Sequence, residues 1–291
     1  MRIYITGSSG FIASNLIKTF KEKKYQVISV NRLHSKIYDE LEVMTYEEFI
    51  DADMVIDQEK NFFIHTAWHG VSGTERNSIH QFENIPLTTK IFQKCLSSGF
   101  EKFILFGSQA EYSNTNAIMH EGSKIAPSSF YGIAKNASFN ILSDIEAAEN
   151  KKLLLHMRLF DTYGNGDKPH WILPTVINHL QNDKKISLTA ANQIWNYIYI
   201  KDLCTAVNLS MQSDYYGPLN LCGDENLPLK HFLTLTANFF SKAHLLEFGT
   251  VNHHSEKRNI SGNNELLKST TGWTPKYSFK DGLSDYLQIK V

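Results

Sequence analysis

The chain has 291 residues, of which 42% are hydrophobic and 20% are charged, and this composition is typical of a folded globular protein. A formal net charge of −1 excludes bulk electrostatic attraction to nucleic acid or to an anionic membrane, so any affinity for phosphate has to be local. No apolar run is long enough for a membrane span, and the three cysteines form no C-x-x-C pair that would indicate a zinc site. Because the first strand follows Met1 directly, we expect no signal peptide and a cytoplasmic location.

A glycine loop near the amino terminus is the first functional signal. The strand at residues 2–5 runs into Thr6-Gly7-Ser8-Ser9-Gly10-Phe11-Ile12-Ala13, and a helical pattern and a second strand at residues 26–30 follow. This order forms the βαβ unit that binds the pyrophosphate of a dinucleotide, with Gly7 for the tight turn and Gly10 for close approach of the phosphates. The G-x-x-G-x-x-A spacing departs from the usual G-x-G-x-x-G, and a plain strand-to-helix turn is the alternative.

The end of the second strand indicates which dinucleotide is bound. An acidic residue there would hydrogen-bond the adenosine ribose of NAD, but this chain has Asn31-Arg32 and no carboxylate before Asp39. An arginine can pair with a 2′-phosphate and stack on adenine. We therefore expect NADP(H) to be preferred, with NAD(H) as the alternative cofactor and a solvated Arg32 as the ordinary interpretation.

Strands and helices alternate through the middle of the chain. Strands are predicted at residues 61–68, 102–107 and 153–159, and helices at residues 78–97 and 128–149. The alternation predicts an α/β fold with a Rossmann-like, doubly wound parallel sheet. Ser108 directly follows its strand, so it lies at the carboxyl edge of the sheet, where ligands bind in such folds.

Three residues near that edge can carry proton transfer. Tyr131 and Lys135 are four residues apart on a predicted helix, so they share one face. We expect the Lys135 ammonium to stabilise the phenolate and to lower the pKa of Tyr131 from its usual value of about 10. Ser108 can hold a carbonyl oxygen while Tyr131 protonates it, which suits hydride transfer at a carbon–oxygen bond. Alone, Tyr-x-x-x-Lys is a weak signal, because exposed pairs with this spacing are common.

Further motifs follow in a fixed order: Arg158-Leu159-Phe160-Asp161-Thr162-Tyr163-Gly164, Asn196-Tyr197-Ile198-Tyr199-Ile200-Lys201-Asp202-Leu203 and Gly272-Trp273-Thr274-Pro275. Together with the glycine loop and the Tyr-x-x-x-Lys pair, they make the whole chain resemble the extended short-chain dehydrogenases/reductases that act on nucleotide sugars as epimerases, dehydratases and reductases. The resemblance implies cofactor contacts at Gly7, Ser9, Gly10, Phe11, Ile12, Asn31, Arg32, Thr66, Ala67, Trp68, Asn84, Tyr131, Lys135 and Phe160.

The sequence at residues 67–73, 107–112 and 193–197 resembles that of one branch of this family, which contains reductases of 4-keto-6-deoxyhexoses on CDP or dTDP. Gln109-Ala110 stand where dehydrating relatives carry an Asp-Glu acid–base pair, and Ala110 also replaces the Cys of relatives that epimerise C3 and C5. The reactions that remain as candidates are reduction at C4 and epimerisation at C4. Asp161 stands where many relatives carry an Asn near the substrate phosphates, and we assign it no binding role because a carboxylate repels a diphosphate.

The same resemblance implies substrate contacts at Ser108, Gln109, Trp171, Ile172, Gln193, Trp195 and Arg258. Arg258 stands at the position of a diphosphate-binding arginine, and its guanidinium suits phosphate oxygens. Core positions for the two tryptophans and a surface position for Arg258 are the alternatives. No metal is expected, because the adjacent His253-His254 cannot share a helix face and no H-E-x-x-H motif occurs.

We therefore expect a Rossmann domain at residues 1–165 and about 190–225, and a smaller mixed α/β substrate-binding lobe at residues 166–189 and 226–291. The expected activity is NADPH-dependent reduction at C4 of a nucleoside-diphosphate 4-keto-6-deoxyhexose, in deoxysugar and surface-polysaccharide biosynthesis. An NAD-dependent 4-epimerase and a non-catalytic cofactor-sensing regulator are the alternatives. The expected partners are the sugar nucleotide and a second copy of the chain, since relatives dimerise through the two long helices, with no nucleic acid and no membrane.

Overall fold

The structure, a computed structural model, describes residues 1–33, 41–53, 59–251 and 258–288, and Asp39, His253 and His254 lie outside them. The described residues form twelve β-strands: β1 (Arg2–Thr6), β2 (Gln26–Asn31), β3 (Glu42–Thr45), β4 (Asn61–His65), β5 (Lys102–Ser108), β6 (Leu154–Leu159), β7 (Asp161–Tyr163), β8 (Ile186–Leu188), β9 (Ile194–Tyr199), β10 (Gly217–Leu221), β11 (Asn226–Pro228) and β12 (Leu246–Phe248). They also form nine α-helices: α1 (Phe11–Glu22), α2 (Tyr46–Asp51), α3 (Asn84–Ser97), α4 (Phe130–Ala148), α5 (Ile172–Gln181), α6 (Ile200–Gln212), α7 (Leu229–Phe239), α8 (Glu265–Thr271) and α9 (Phe279–Leu287).

Seven strands form one sheet in the order β3-β2-β1-β4-β5-β6-β10, and every neighbouring pair is parallel. Every residue of β4 and β5 is buried, as expected for strands that helices cover on both faces. The predicted Rossmann-like, doubly wound parallel sheet is therefore confirmed.

Alternate side chains of each strand pack against different helix layers. Ile3 and Ile5 of β1 belong to a core that includes α1 and α6, whereas Tyr4 packs with α2, α3 and α4 on the other face. The same alternation separates Ile104 from Leu105 in β5. Each fully buried large apolar side chain contributes roughly 1.5–3 kcal/mol, so the packed sheet holds its carboxyl edge rigidly.

The chain reverses its direction across the sheet at β1. It first builds outward through β2 and β3, and then returns to add β4, β5 and β6 on the other side. Thr6, the last residue of β1, pairs with Val30 on one side and with His65 on the other. A crevice opens between strand ends at such a switch point, and ligands bind there.

Two smaller sheets lie beyond the large one. In the first, β7 runs parallel and β11 antiparallel to β9, and in the second β8 pairs with β12. The strand β10 returns the chain to the large sheet, whereas β9 does not join it. The division into a Rossmann domain and a substrate lobe at the stated boundaries stays a prediction.

The predicted helix at residues 78–97 begins later than expected. Ile79–Glu83 forms a 3₁₀ turn, and the α-helix starts at Asn84. Pro86 has no N–H to donate to the carbonyl of Phe82, so the α-helical hydrogen bonds cannot extend back through that turn.

The three cysteines, Cys95, Cys204 and Cys222, are buried free thiols. Burial raises the pKa of the Cys204 thiol to about 12, and a thiol in this state is a poor nucleophile. Among the helices within the described ranges, none is long and apolar enough to cross a membrane.

Candidate active site

A cavity of about 600 Å³ opens at the carboxyl ends of β1, β4 and β5. Its volume lies within the range of roughly 300–1,000 Å³ that is usual for ligand and cofactor sites. The predicted site residues that line it are Gly7, Ser9, Gly10, Phe11, Ile12, Asn31, Arg32, Thr66, Ala67, Trp68, Asn84, Ser108, Gln109, Tyr131, Phe160 and Trp171. One cavity therefore contains the glycine loop, Ser108 with Tyr131, and two further residues predicted to contact the substrate, Gln109 and Trp171.

The glycine loop turns tightly between β1 and α1. Gly7 has a φ of +71°, and a Cβ there would lie 2.9 Å from Thr66 Oγ1 and 3.0 Å from the Ala67 nitrogen. Gly10 caps α1 without a side chain, and the first turn of the helix carries no acidic residue. The N–H groups of that turn are left for an anion. This geometry fits the pyrophosphate of a dinucleotide.

Asn31 and Arg32 lie at the end of β2, beside the glycine loop. The Asn31 amide donates to Ser8 Oγ at 3.1 Å and to Ser29 Oγ at 2.8 Å, which anchors the loop to β2. Asn31 is buried, whereas Arg32 is exposed, and both line the cavity. Of these two residues, Arg32 presents a charge to this end of the cavity.

Hydrogen bonds between neutral groups around His65 hold the part of the cavity wall that β1, β4 and α3 form. The ring bonds Thr6 Oγ1 through Nδ1 and Thr88 Oγ1 through Nε2, each at 3.0 Å. Burial lowers the pKa of His65 to about 3, so the ring is neutral at physiological pH. Thr66 donates its hydroxyl to the Thr6 carbonyl at 2.7 Å. These bonds fix the ends of β1 and β4 relative to α3.

Tyr131 is brought to Ser108 by the close packing of α4 on the turn that follows β5. Ser129 caps α4 by accepting a hydrogen bond from the Gly132 N–H at 3.1 Å. A Cβ at Gly132 would overlap the Ala110 carbonyl oxygen, so glycine is what allows the helix to approach. The Tyr131 phenol lies near enough to the Ser108 hydroxyl for that hydroxyl to lower its pKa. Local sequence thus explains how the two hydroxyls meet.

The pKa of Tyr131 differs from the expectation. Burial of the phenol raises the pKa above its usual value, and the Arg76 guanidinium and the Ser108 hydroxyl offset only part of that rise. The expected lowering of this pKa by Lys135 is therefore corrected. Burial sets the direction, and Lys135 Nζ lies 5.8 Å from the centre of the Tyr131 ring, engaged elsewhere.

Lys135 is buried behind the cavity wall. Its Nζ donates to the Phe106 carbonyl at 2.7 Å and lies 3.7 Å from the centre of a Trp68 ring. Burial lowers the pKa of Lys135 to about 7, although the Glu111 carboxylate acts in the opposite direction. Trp68, which lines the cavity, thus covers the amine that was predicted to contact the cofactor.

Four charged residues of the cavity wall were not assigned a role from the sequence: Arg76, Asp161, Asp167 and Lys168. Burial raises the pKa of Asp161 to about 6 and that of Asp167 to about 7. Both carboxyls are partly protonated near neutral pH, which lessens their repulsion of a phosphate. The sequence motif already shows that Asp161 replaces the Asn of many relatives. No sequence pattern indicated a role for Arg76, which lies in the 3₁₀ turn Gly73–Asn77.

The predicted residues that do not line the cavity are Lys135, Ile172, Gln193, Trp195 and Arg258. Arg258 Nη2 donates to the backbone carbonyls of Gln109 at 2.7 Å and of Tyr112 at 3.0 Å, so it lies behind the turn that follows β5. Trp195 packs against the core around Phe160. Its indole N–H lies near enough to the Asp161 carboxyl to lower the pKa of that group, but it makes no hydrogen bond to a described residue.

Two buried polar atoms of the wall, Gln109 Oε1 and Thr162 Oγ1, have no hydrogen-bond partner among the described residues. Gln109 is 8% exposed and Thr162 is 3% exposed, and both line the cavity. Because buried polar atoms are nearly always hydrogen-bonded in native structures, these two are available to bond a polar ligand.

Known proteins resemble this chain over nearly its whole length. The chain is 26% identical to the CDP-abequose synthase of Yersinia pseudotuberculosis over 303 residues, which cover 100% of this chain and 99% of the relative. Its fold is similar to that of the UDP-glucose 4-epimerase of Thermotoga maritima with UDP-glucose, with a TM-score of 0.86, 19% identity and coverage of 99% and 98% of the two chains. The UDP-glucose 4-epimerase of Thermus thermophilus in complex with NAD gives a TM-score of 0.83, 19% identity and the same coverage.

A family match completes the comparison. Residues 3–222 match the NAD dependent epimerase/dehydratase family, which is well over half of the chain and includes the glycine loop, Ser108, Tyr131 and Lys135. The resemblance inferred from the motifs is thereby confirmed. The chain belongs to the NAD dependent epimerase/dehydratase family.

Proposed function

We propose that the chain is a nucleotide-sugar 4-ketoreductase that uses NADPH to reduce C4 of a nucleoside-diphosphate 4-keto-6-deoxyhexose. The observation that carries the proposal is that Tyr131 and Ser108 line the same cavity as the glycine loop, with the Ser108 hydroxyl near enough to lower the pKa of the Tyr131 phenol. A positioned pair of hydroxyls can hold a carbonyl oxygen and protonate it. The cavity thus suits a dinucleotide and a ketone side by side.

Each residue of the proposed reaction has a distinct role. When bound, a reduced nicotinamide supplies the hydride for C4. Ser108 holds the keto oxygen, and Tyr131 donates its proton to that oxygen as the new carbon–hydrogen bond forms. The Tyr131 phenolate that remains recovers a proton from solvent. Gln109 Oε1, which has no partner among the described residues, accepts a hydrogen bond from a sugar hydroxyl.

The remaining predicted contacts belong to the substrate side. We assign Trp171 to the sugar-nucleotide wall that it lines, with Ile172, Gln193 and Trp195 supporting that wall from behind. Arg258 does not line the cavity, so its proposed contact with the diphosphate requires the guanidinium to leave the carbonyls of Gln109 and Tyr112. These contacts would join the substrate lobe at residues 166–189 and 226–291 to the Rossmann domain.

Reduction is favoured over the other reactions of the family by the residues after Ser108. Neither Gln109 nor Ala110 can transfer a proton, so dehydration has no acid–base pair. The similarity to a CDP-abequose synthase supports a role in deoxysugar synthesis. The second candidate is a C4 epimerase, which would use the same Ser108 and Tyr131, and the fold similarity to two UDP-glucose 4-epimerases favours it.

A turnover assay separates these functions. Given a 4-keto-6-deoxyhexose linked to CDP, dTDP, GDP or UDP, the proposed reductase consumes one NADPH for each sugar reduced. An epimerase instead interconverts C4 epimers without added cofactor and retains its nicotinamide through purification. A cofactor-sensing regulator does neither, and that result would refute both enzymatic proposals.

The proposed preference for NADPH rests on Arg32. Arg32→Ala should weaken NADPH binding by about 10–100-fold, because a charge-assisted hydrogen bond contributes roughly 1.5–3 kcal/mol, and should leave NADH binding nearly unchanged. Fluorescence titration of both reduced cofactors measures the two dissociation constants. Lys18→Ala, which removes an exposed cation from α1 outside the cavity, is the matched control. Equal weakening of both cofactors by Arg32→Ala would remove the argument for NADPH.

We also propose a homodimer that forms through α4. Phe130, Ile133 and Ile141 are exposed, and together with Ala137 they form one apolar stripe along the helix. Ile133→Asp should convert the dimer into a monomer in sedimentation experiments, because a second copy would bury the new carboxylate without a partner. Ile118→Asp, at an exposed isoleucine outside α4, should leave the dimer intact. A monomeric wild-type chain would contradict the proposal.

A further inference from the structure

A cation that no sequence pattern marked lies against the Tyr131 ring. The Arg76 Cζ atom is 4.1 Å from the ring centre, and Arg76 lines the cavity. Lys135 Nζ is 5.8 Å from the same centre and is occupied by the Phe106 carbonyl and the Trp68 ring. Arg76 is thus the nearer of these two cations and the one on the cavity side.

The loop that carries Arg76 is held by buried hydrogen bonds. The Gln81 amide, 1% exposed, donates to the carbonyl of Gly70 at 2.6 Å and to that of Glu75 at 2.9 Å. Arg76 itself donates Nη1 to the Val71 carbonyl at 3.3 Å. The guanidinium is therefore placed before any ligand binds, and little side-chain entropy is lost when it acts.

Opposing charges surround this pair. The charged groups that face Tyr131 or Arg76 are Glu111, Lys135, Asp161 and Arg258. Glu111 and Asp161 raise the pKa of Tyr131, in the same direction as burial, whereas Arg76 lowers it. Arg76 therefore offsets two groups that disfavour the phenolate in this buried site.

We propose that Arg76 is the cation that stabilises the Tyr131 phenolate during proton transfer, as a positioning residue that acts through the Tyr131 ring. In the proposed reduction, the Tyr131 O–H bond breaks and the O–H bond of the product alcohol forms. The electron pair of the broken bond stays on the phenolate oxygen, and a proton from water later restores the phenol. Throughout this step the guanidinium faces the ring that carries the negative charge.

The test follows the ionisation of residue 131 directly. A fluorinated tyrosine incorporated at position 131 is more acidic than tyrosine, which keeps the titration within a pH range that the folded protein tolerates. Its fluorine resonance reports this one phenol. Arg76→Gln should raise the pKa of the fluorophenol by roughly 1–3 units, since an opposite charge within about 4–6 Å shifts a pKa by that much. Arg76→Met gives the same neutral test if the Gln variant does not fold.

Matched variants separate charge from structure. Arg76→Lys keeps the charge and should keep the titration close to that of the wild type, whereas Lys18→Gln removes an exposed cation of α1 outside the cavity and should change nothing. Lys135→Met should shift the titration less than Arg76→Gln does. An unchanged titration in Arg76→Gln, or a larger shift in Lys135→Met, would overturn the proposal.

A second readout follows catalysis. Because reduction needs the protonated phenol, the alkaline limb of the kcat/KM profile of Arg76→Gln should move to higher pH, by the same interval as the fluorine titration. An alkaline limb that stays in place would overturn the role of Arg76 in proton transfer. This inference rests on the proposed role of Tyr131, but the fluorine titration needs no substrate. A chain that fails to reduce any ketone could still show the Arg76 effect, so the two proposals fail separately.

Discussion

Replacing Tyr131 by Phe should lower the rate of ketone reduction by about 10²–10⁴-fold, which is the usual contribution of a general acid. The variant keeps the aromatic ring, with Arg76 over its face and Trp68 at its edge, and loses only the hydroxyl that donates the proton. The fold and the affinity for the dinucleotide should therefore change little. Single-turnover oxidation of NADPH with a 4-keto sugar nucleotide measures the loss.

The control for this experiment is Tyr25→Phe. Tyr25 follows α1, is partly buried against the core and does not line the cavity. Its hydroxyl should be dispensable, so Tyr25→Phe should keep the wild-type rate. If Tyr131→Phe also kept that rate, proton donation by Tyr131 would be excluded.

Glu111→Gln should lower the free energy of unfolding by about 3–5 kcal/mol, the range for breaking a buried ion pair. The fully buried Glu111 accepts from His156 Nε2 at 2.8 Å, from Arg158 Nε at 2.9 Å and from the Ser108 N–H at 2.8 Å. The neutral amide leaves the buried Arg158 guanidinium without a counter-charge. Urea denaturation at neutral pH measures the effect, and Glu149→Gln, at an exposed position, should change stability by less than about 0.5 kcal/mol.

The cost of Glu111→Gln should also depend on pH. Burial by itself raises the pKa of Glu111, but His156 and Arg158 outweigh burial and bring the pKa down from 4.5 to about 2. Stability from the ionised carboxylate is therefore fully present above pH 4.5 and is lost as the pH falls from 4.5 through 2. The difference between wild type and variant should narrow in that interval. A difference that stays constant down to about pH 3 would contradict the assignment of the charge to Glu111.

His156 completes this buried cluster as a neutral ring. Burial lowers the pKa of His156, and its Nδ1 has no hydrogen-bond partner among the described residues. A neutral tautomer that donates through Nε2 leaves only an acceptor unpaired, which costs less than an unpaired buried N–H⁺. Arg158 is thus the permanent cation that balances Glu111, and the cluster holds the turn that presents Ser108.

Much of the fold follows from local pattern. The apolar residues of β4 and β5 predict strands covered on both faces, and the loop between Gly7 and Gly10 predicts a turn into a helix. The meeting of Ser108 with Tyr131 was also predictable, because one ends a parallel strand and the other begins the next helix. In each case a regular period or a strand end fixes where the side chain lies.

The rest of the site depends on tertiary contacts that have no period in the sequence. Arg76 stands in a 3₁₀ turn, and the buried Gln81 amide, several residues further along, fixes that turn. The spacing of Tyr131 and Lys135 correctly places both on one helix, yet it does not reveal that Lys135 Nζ is taken by a backbone carbonyl. The pKa of Tyr131 rises for the same kind of reason, because burial is a property of the packed protein.

The most direct measurement is the transfer of deuterium from NADPH to the sugar. With NADPH deuterated at the transferred position and a 4-keto-6-deoxyhexose nucleotide, a reductase of the proposed kind places one deuterium on C4 of the product for each NADPH consumed. Tyr131→Phe should place almost none in the same time. Products without deuterium, or labelling that proceeds at the wild-type rate without the Tyr131 hydroxyl, would contradict the proposed proton donor and the reaction built on it.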